Sequence, residues 1–300
     1  MWFRNLRIFR LPTDWSMDPA RFNELLAAHP LKRCGGFDMI SRGWVYPRIE
    51  GEFVHAVNRQ WLLALGVEQK LLPATVVRQV ALERAAQIEA EQNRKVGRKE
   101  LRDLRDQVTD ELLPKAFTRR RTTWGWLDPV NGWLVVDAGS DARSDEFMEC
   151  LAPLIEGAAL RPLQTQVSPG TAMTGWLAEH DAPAGFTIDR DLELKSSAGG
   201  DSAIRYVRHD LEGKEIAAHI GAGKIVTRVA LTWSDKVSFV LTDKMQIKRL
   251  GFLDVLREQA EQDSEDADQQ FDTDFALMAG ELALMFGDLV AALGGELKPT

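Results

Sequence analysis

Five histidines, two cysteines and a few closely spaced acids are the side chains of this 300-residue chain that could ligate a metal, attack an electrophile or move a proton. His209 and His219 stand close in sequence, but neither they nor His29, His55 and His180 have a third ligand at metal-site spacing. Cys34 and Cys150 lie far apart without Cys or His companions, and each reads as a buried, reduced thiol. The acid pairs Asp189/Asp191 and Asp272/Asp274 would serve a nuclease only if the fold gathered carboxylates around Mg²⁺. Asp272 and Asp274 fall where a helix is expected to begin, and the helix dipole stabilises acids there. Gly221-Ala222-Gly223-Lys224 resembles half of a phosphate loop. The full motif needs Gly at 218 and Ser or Thr at 225, where this chain has Ala218 and Ile225; a helix C-cap before a strand is the better reading. Neither a nucleotide-binding G-x-G-x-x-G after a strand nor an H-E-x-x-H occurs. No enzyme, cofactor or metal centre is expected from these residues.

What remains is charge. The formal net charge is -8, which taken alone argues against a polyanionic partner, but the charge is unevenly placed. Asp254–Thr300 holds two basic and twelve acidic residues, Lys70–Arg121 thirteen basic and eight acidic, and Lys195–Leu250 ten basic and six acidic. Binding to a duplex without sequence preference needs Lys and Arg facing phosphates and little contact with base edges. The candidates are Arg94, Lys95, Arg98, Lys99, Lys115, Arg119, Arg120 and Arg121 in the first basic segment, and Arg205, Arg208, Lys214, Lys224 and Arg228 in the second. Arg205 and Arg208 differ by an odd number, so a regular strand would turn them to opposite faces. Trp124 and Trp126, near the arginines, could stack on unpaired bases, although hairpin tryptophans more often belong to the core.

The elements that must hold these cations read as α+β: a globular body of mixed or antiparallel sheet with a projecting arm of helices and a β-hairpin. Residues 1–73 form an N-terminal α+β region: a strand from Phe3 to Leu11, a helix capped by Asp18-Pro19 and running to Ala28, then strands at Gly43–Tyr46, Glu52–Val57 and Trp61–Lys70. Residues 74–140 form the arm, with helices over Thr75–Lys95 and Arg98–Leu113 meeting at Gly97, then a hairpin over Thr122–Asp137 turning at Asn131-Gly132. Residues 141–253 form a basic α+β region. It holds helices over Arg143–Glu156, Thr171–His180 and Glu212–Ala222, an extended Phe186–Leu194, a polar loop over Ser196–Asp201, and strands at Ala203–Arg208, Lys224–Trp233, Lys236–Leu241 and Gln246–Leu250, with helix from Gly251 onward. Residues 254–300 hold an acidic loop over Glu261–Asp268 and a helix over Thr273–Leu293, apolar enough to be buried in the fold or against a second subunit. The first residues are too short and too charged for a signal peptide, and the apolar runs near Leu151–Leu160 and Leu282–Leu293 are short of a membrane span, so cytoplasm is the expected location.

Several stretches, in this order and at these separations, resemble the RdgC family of recombination-associated proteins. They are Trp2-Phe3-Arg4-Asn5-Leu6, Gly43-Trp44-Val45, Leu112-Leu113-Pro114-Lys115-Ala116-Phe117, Asp128-Pro129-Val130-Asn131-Gly132, His219-Ile220-Gly221-Ala222-Gly223-Lys224, Leu250-Gly251-Phe252 and Phe271 through Leu282. The resemblance implies a protein that binds DNA with little sequence preference, favours double strands over single strands, restrains RecA and associates with the nucleoid. It also implies a homodimer, closed head to head and tail to tail into a ring around the duplex, and no enzymatic activity. By the same resemblance Phe117, beside Lys115, marks a dimer contact, and Arg208, His209 and Lys224 match the basic groove. A DNA-dependent metal nuclease and a factor that meets the recombinase without DNA are the competing readings.

Overall fold

The computed structural model describes all residues except 13–14, 50, 156–158, 197–201, 212, 263–265 and 298–300. Its strands are β1 (Leu6–Arg10), β2 (Ile40–Val45), β3 (His55–Val57), β4 (Gln60–Lys70), β5 (Thr118–Asp128), β6 (Trp133–Asp137), β7 (Arg161–Pro162), β8 (Phe186–Ser196), β9 (Ala203–Tyr206), β10 (Lys224–Trp233), β11 (Val237–Thr242) and β12 (Gln246–Phe252). The α-helices are α1 (Pro19–Ala27), α2 (Ala74–Gln92), α3 (Arg98–Leu112), α4 (Asp141–Leu151), α5 (Pro169–Glu179), α6 (Lys214–Gly221), α7 (Asp254–Gln262) and α8 (Ala267–Ala292).

One antiparallel sheet unites these strands in the order β2-β4-β5-β6-β1-β12-β11-β10-β8-β9, with β3 on β4 and β7 on β1. β1 is the join: its one edge pairs with β6, and its other edge is shared by β12 at Leu6–Arg7 and β7 at Phe9–Arg10. Three of the four expected regions therefore meet in a single sheet, and the α+β class holds.

The two faces are packed differently along the sheet because alternate residues point to opposite sides. One face is covered by α8, whose buried Phe275, Met278, Leu282, Met285, Phe286 and Leu289 join a core with Leu6, Trp126, Leu194, Val229 and Ile247. Phe286 lies 6.0 Å from Trp126 in a stacked arrangement and 5.5 Å from Trp133 edge-on. By length and composition α8 could cross a membrane, but these buried side chains make it the central helix of a sheet core. Among the described residues, the opposite face carries its second core over the β2–β6 half, where Phe22 and Leu26 of α1 and Phe147 and Leu151 of α4 pack on Leu63, Leu127, Leu134 and Val136. Gly125 permits this: a Cβ there would stand 2.2 Å from the Phe147 ring. Trp126 is fully buried and donates its indole N–H to Gln60, and half-buried Trp124 packs on the same core, so the hairpin tryptophans are structural.

Helices α2 and α3 keep a small core of their own, Ala81, Ala85, Leu104 and Val108, separate from both sheet cores, as an arm must. Asn93 ends α2 with a left-handed backbone, and Gly97 begins α3.

Several boundaries differ from expectation. β5 starts at Thr118 because Arg119–Arg121 pair with Val67–Gln69 of β4. β12 continues through Phe252, held by its pairing with Val237, so helix begins at Asp254 and not at Gly251. α8 starts at Ala267, not Thr273, because Asp266 caps it, accepting from the N–H groups of Asp268 and Gln269. Most of the expected polar loop (197–201) and part of the acidic loop (263–265) lie outside the described residues, as does Glu212, the expected start of α6. Cys34 and Cys150 are free thiols but half-buried, not buried as expected. Desolvation is the first cause raising the pKa of each.

Candidate nucleic-acid interface

Among the described residues, no hydrophobic core covers the sheet face opposite α8 over the β1–β12–β11–β10–β8–β9 half, and this face is here called open. Register decides what it presents. Leu192, Leu194, Val226, Val229 and Leu241 turn toward the α8 core. The alternate positions turn outward, so Glu193 stands beside Arg228 on one neighbouring strand and Arg205 on the other, and Arg228 stands beside Thr242. A groove of about 560 Å³ runs across this face from β8 to the start of α4, lined by Arg7, Lys195, Arg228, Lys244, Lys248 and Arg249 against Asp141, Glu193 and Asp243. Six cations facing three acids leave the floor positive although the chain is negative overall.

Glu193 is the organising acid. Its side chain is only 7% exposed, yet it reaches Arg205 at 2.6 Å, Lys195 at 3.7 Å and Arg228 at 3.8 Å, and Thr227 donates to it at 3.2 Å. Burial pushes its pKa up, but the hydrogen bond from Arg205, the charge of Arg228 and the Thr227 hydroxyl outweigh that and hold it below the usual carboxylate range. The three cations keep half or more of their side-chain surface in solvent. At the other end Arg7, nearly buried, meets Asp141 at the start of α4 at 2.7 Å. Burial lowers the pKa of Arg7 although Asp141 opposes it. Lys248 donates to the Gly139 carbonyl at 2.7 Å. Burial, then repulsion from Arg7, lowers its pKa, which is the mark of a cation crowded by others.

The expected site residues divide into three groups. Arg205 and Arg228 belong to the open face. Arg208 lies at its β9 margin, whereas Lys224 shares the strand parity of core-facing Val226 and the His209 ring packs on Tyr206, which packs on the α8 core, so neither turns onto the open face. Arg208 adopts a left-handed backbone (φ 52°) just past the end of β9, so strand parity does not govern it, and its N–H donates to Asp191. The His209 ring lies 5.1 Å from that of Tyr206, with Nε2 4.0 Å from Glu215, and Lys224 donates to Ser202 at 3.2 Å.

A second group sits at the far end of the β2–β4–β5 edge. Arg120 pairs with buried Glu68 at 2.5 Å, Arg121 pairs with Glu146, which Arg42 also contacts, and Arg119 and Lys115 are exposed. Phe117 is 84% exposed, and its carbonyl accepts from Leu71 N–H, while Lys70 N–H donates to Met39. These bonds bring the exposed Phe117, Leu71 and Met39 to one end of the sheet, an apolar tip with cations around it.

The third group is the arm, whose charges balance. Residues 74–112 hold eight basic and eight acidic side chains, so the excess of the Lys70–Arg121 segment comes from outside the helices. Arg94 forks onto Glu100 at 2.6–2.7 Å and Lys95 meets Glu89 at 2.9 Å. Arg98 and Lys99 are exposed. Sequence reading missed Arg7, Lys195, Lys244, Lys248 and Arg249. Lys244, Lys248 and Arg249 lay inside a segment already recognised as basic, but Arg7 reaches them only because β1 pairs with β12.

Among the described residues no three of His, Cys, Asp and Glu come together as metal ligands. A cationic groove on an antiparallel sheet face suits a polyanionic partner. A family model described as "Putative exonuclease, RdgC" matches residues 1–296. The Recombination-associated protein RdgC of Dechloromonas aromatica is 54% identical over 300 residues, 99% of each chain. That of Janthinobacterium sp. is 49% identical over 298 residues, again 99% of each. That of Cupriavidus pinatubonensis is 50% identical over 298 residues, 99% of this chain and all of the relative. The chain belongs to the RdgC family.

Proposed function

We propose that this is a recombination-associated DNA-binding protein without catalytic activity, which holds duplex DNA against its open sheet face and does not read its sequence. The observation that carries the reading is the groove of six cations on that face. Lysine and arginine on an open sheet face suit phosphates, whose neutralisation releases counterions regardless of base sequence. Single strands engage the same cations more weakly. The proposal includes a homodimer closed through the Phe117 tip and through a second contact into a ring that places two open faces around one duplex. The exposure of Phe117 beside Leu71 and Met39 supports the tip contact. Such a clamp in the cytoplasm, on the nucleoid, limits the access of RecA to DNA by occupying it. The relatives' shared name, recombination-associated, agrees with that role.

The test is fluorescence anisotropy with two duplexes of unrelated sequence and a single strand, over a salt series. Equal affinity for the duplexes, weaker binding to the single strand and a steep fall with salt are expected; salt-independent binding overturns the reading. The family description favours one competing reading, exonuclease action. Shortening of an end-labelled duplex by the purified protein with Mg²⁺ would establish it in place of the non-catalytic role.

A further inference from the structure

At the β9 end of the open face the cationic groove adjoins a smaller cavity of different character, about 130 Å³. Its apolar walls come from Val240 and from Val207, which is 60% exposed. Its rim is charged, with Arg228 and Lys248 shared with the larger groove. Asp191 closes one side. Its carboxylate accepts the backbone N–H of Arg208 at 3.0 Å and meets the Arg249 guanidinium at 3.3 Å. Arg208 and Arg249 both hold left-handed backbones, φ 52° and 51°. Non-glycine residues adopt that conformation at a cost, and here the two flank Asp191, which bonds to both. Internal phosphates of a duplex need none of this: they need cations on a surface, not an apolar recess beneath them.

An apolar recess with a carboxylate at its edge and cations at its mouth matches one nucleotide out of its stack. The ring lies on the apolar walls, the carboxylate accepts from ring or exocyclic N–H groups, and the flanking phosphates meet the cations. We propose that this cavity takes a single unpaired nucleobase from a duplex lying on the open face, with the flanking phosphates on Arg228 and Lys248. The exposed Arg249–Asp191 pair is weak enough to part as the base enters. The inference rests on the duplex-binding reading and adds to it a preference for duplex carrying an extrahelical or unpaired base, where the cost of unstacking has already been met.

The test uses three duplexes of equal length: fully paired, with one extrahelical thymine, and with one extrahelical abasic nucleotide. The abasic bulge bends the duplex but has no base to insert. The thymine bulge is expected to bind about tenfold more tightly than either of the others, within the range for contacts to one unpaired base. Val240→Trp fills the cavity with a side chain that suits a strand and is expected to abolish the preference while leaving affinity for the paired duplex unchanged. Should that variant fail to fold, Val207→Trp at the exposed wall provides the same block. Equal binding of the thymine and abasic bulges, or a preference that survives a filled cavity, overturns the proposal and leaves the duplex-binding reading standing. Failure to bind any duplex overturns both.

Discussion

Arg228 and Lys244 are the cations best suited to a quantitative test of the groove. Arg228 keeps 51% of its side-chain surface in solvent and meets Glu193 only at 3.8 Å, and Lys244 is exposed in the turn between β11 and β12. Replacing both with Gln removes charge and leaves the packing intact, so stability is expected to change by no more than about 0.5 kcal/mol. If each contacts one phosphate, a protomer loses two contacts and a dimer four. Each contact contributes about 0.9 to the slope of log affinity against log salt, so the double variant flattens the slope by roughly 1.8 per protomer and roughly 3.6 per dimer. Between 50 and 200 mM salt each contact accounts for about a 3.5-fold loss of affinity, so the dimeric variant forgoes roughly two orders of magnitude of that salt sensitivity. Anisotropy with a labelled duplex at five salt concentrations measures both slopes. A double variant with the wild-type slope and a native melting curve would refute the assignment of this face.

Phe117→Asp is expected to weaken dimerisation in sedimentation velocity without lowering the melting temperature, because the side chain is almost entirely exposed. Phe286→Ala, which empties a fully buried site between Trp126 and Trp133, is expected to cost about 3–5 kcal/mol in denaturant unfolding. Asp137 accepts the N–H groups of Arg4 and Asn5, yet burial raises its pKa above the ordinary aspartate value. The folded state therefore binds this proton more readily than the unfolded chain, so the stability it contributes is present at low pH and is lost as pH rises through the raised value. Asp137→Asn is expected to remove that loss, making the variant more stable than the wild type near neutral pH and not in acid. Melting curves that shift equally at every pH would contradict the reading.

Much of the framework was legible because local chemistry and tertiary demand agree. Asp18-Pro19 starts α1, Asn131-Gly132 turns the β5–β6 hairpin, and Gly97 separates the arm helices. α8 was recognised by its apolar surface, but its first turn was lost because the cap, Asp266, stands in an acidic stretch that reads as loop. The site was half legible. Counting charge along the chain drew attention to the second basic segment, and the fold brings its Arg205, Arg228, Lys244 and Lys248 to one face. The same count could not show that Arg94 and Lys95 of the first segment pair with Glu100 and Glu89, and Arg120 with Glu68. Arg7 could not be found that way at all. Its place among the cations depends on a β1–β12 pairing across some 240 residues, which no local pattern encodes.

The most direct test of the open-face account is lysine protection, read by mass spectrometry after brief acetylation of the protein with and without saturating duplex. Lys195, Lys244 and Lys248 are expected to lose reactivity when DNA is bound, while Lys95 and Lys99 on the arm remain as reactive as in the free protein. Protection confined to the arm, with Lys195, Lys244 and Lys248 unchanged, would contradict it.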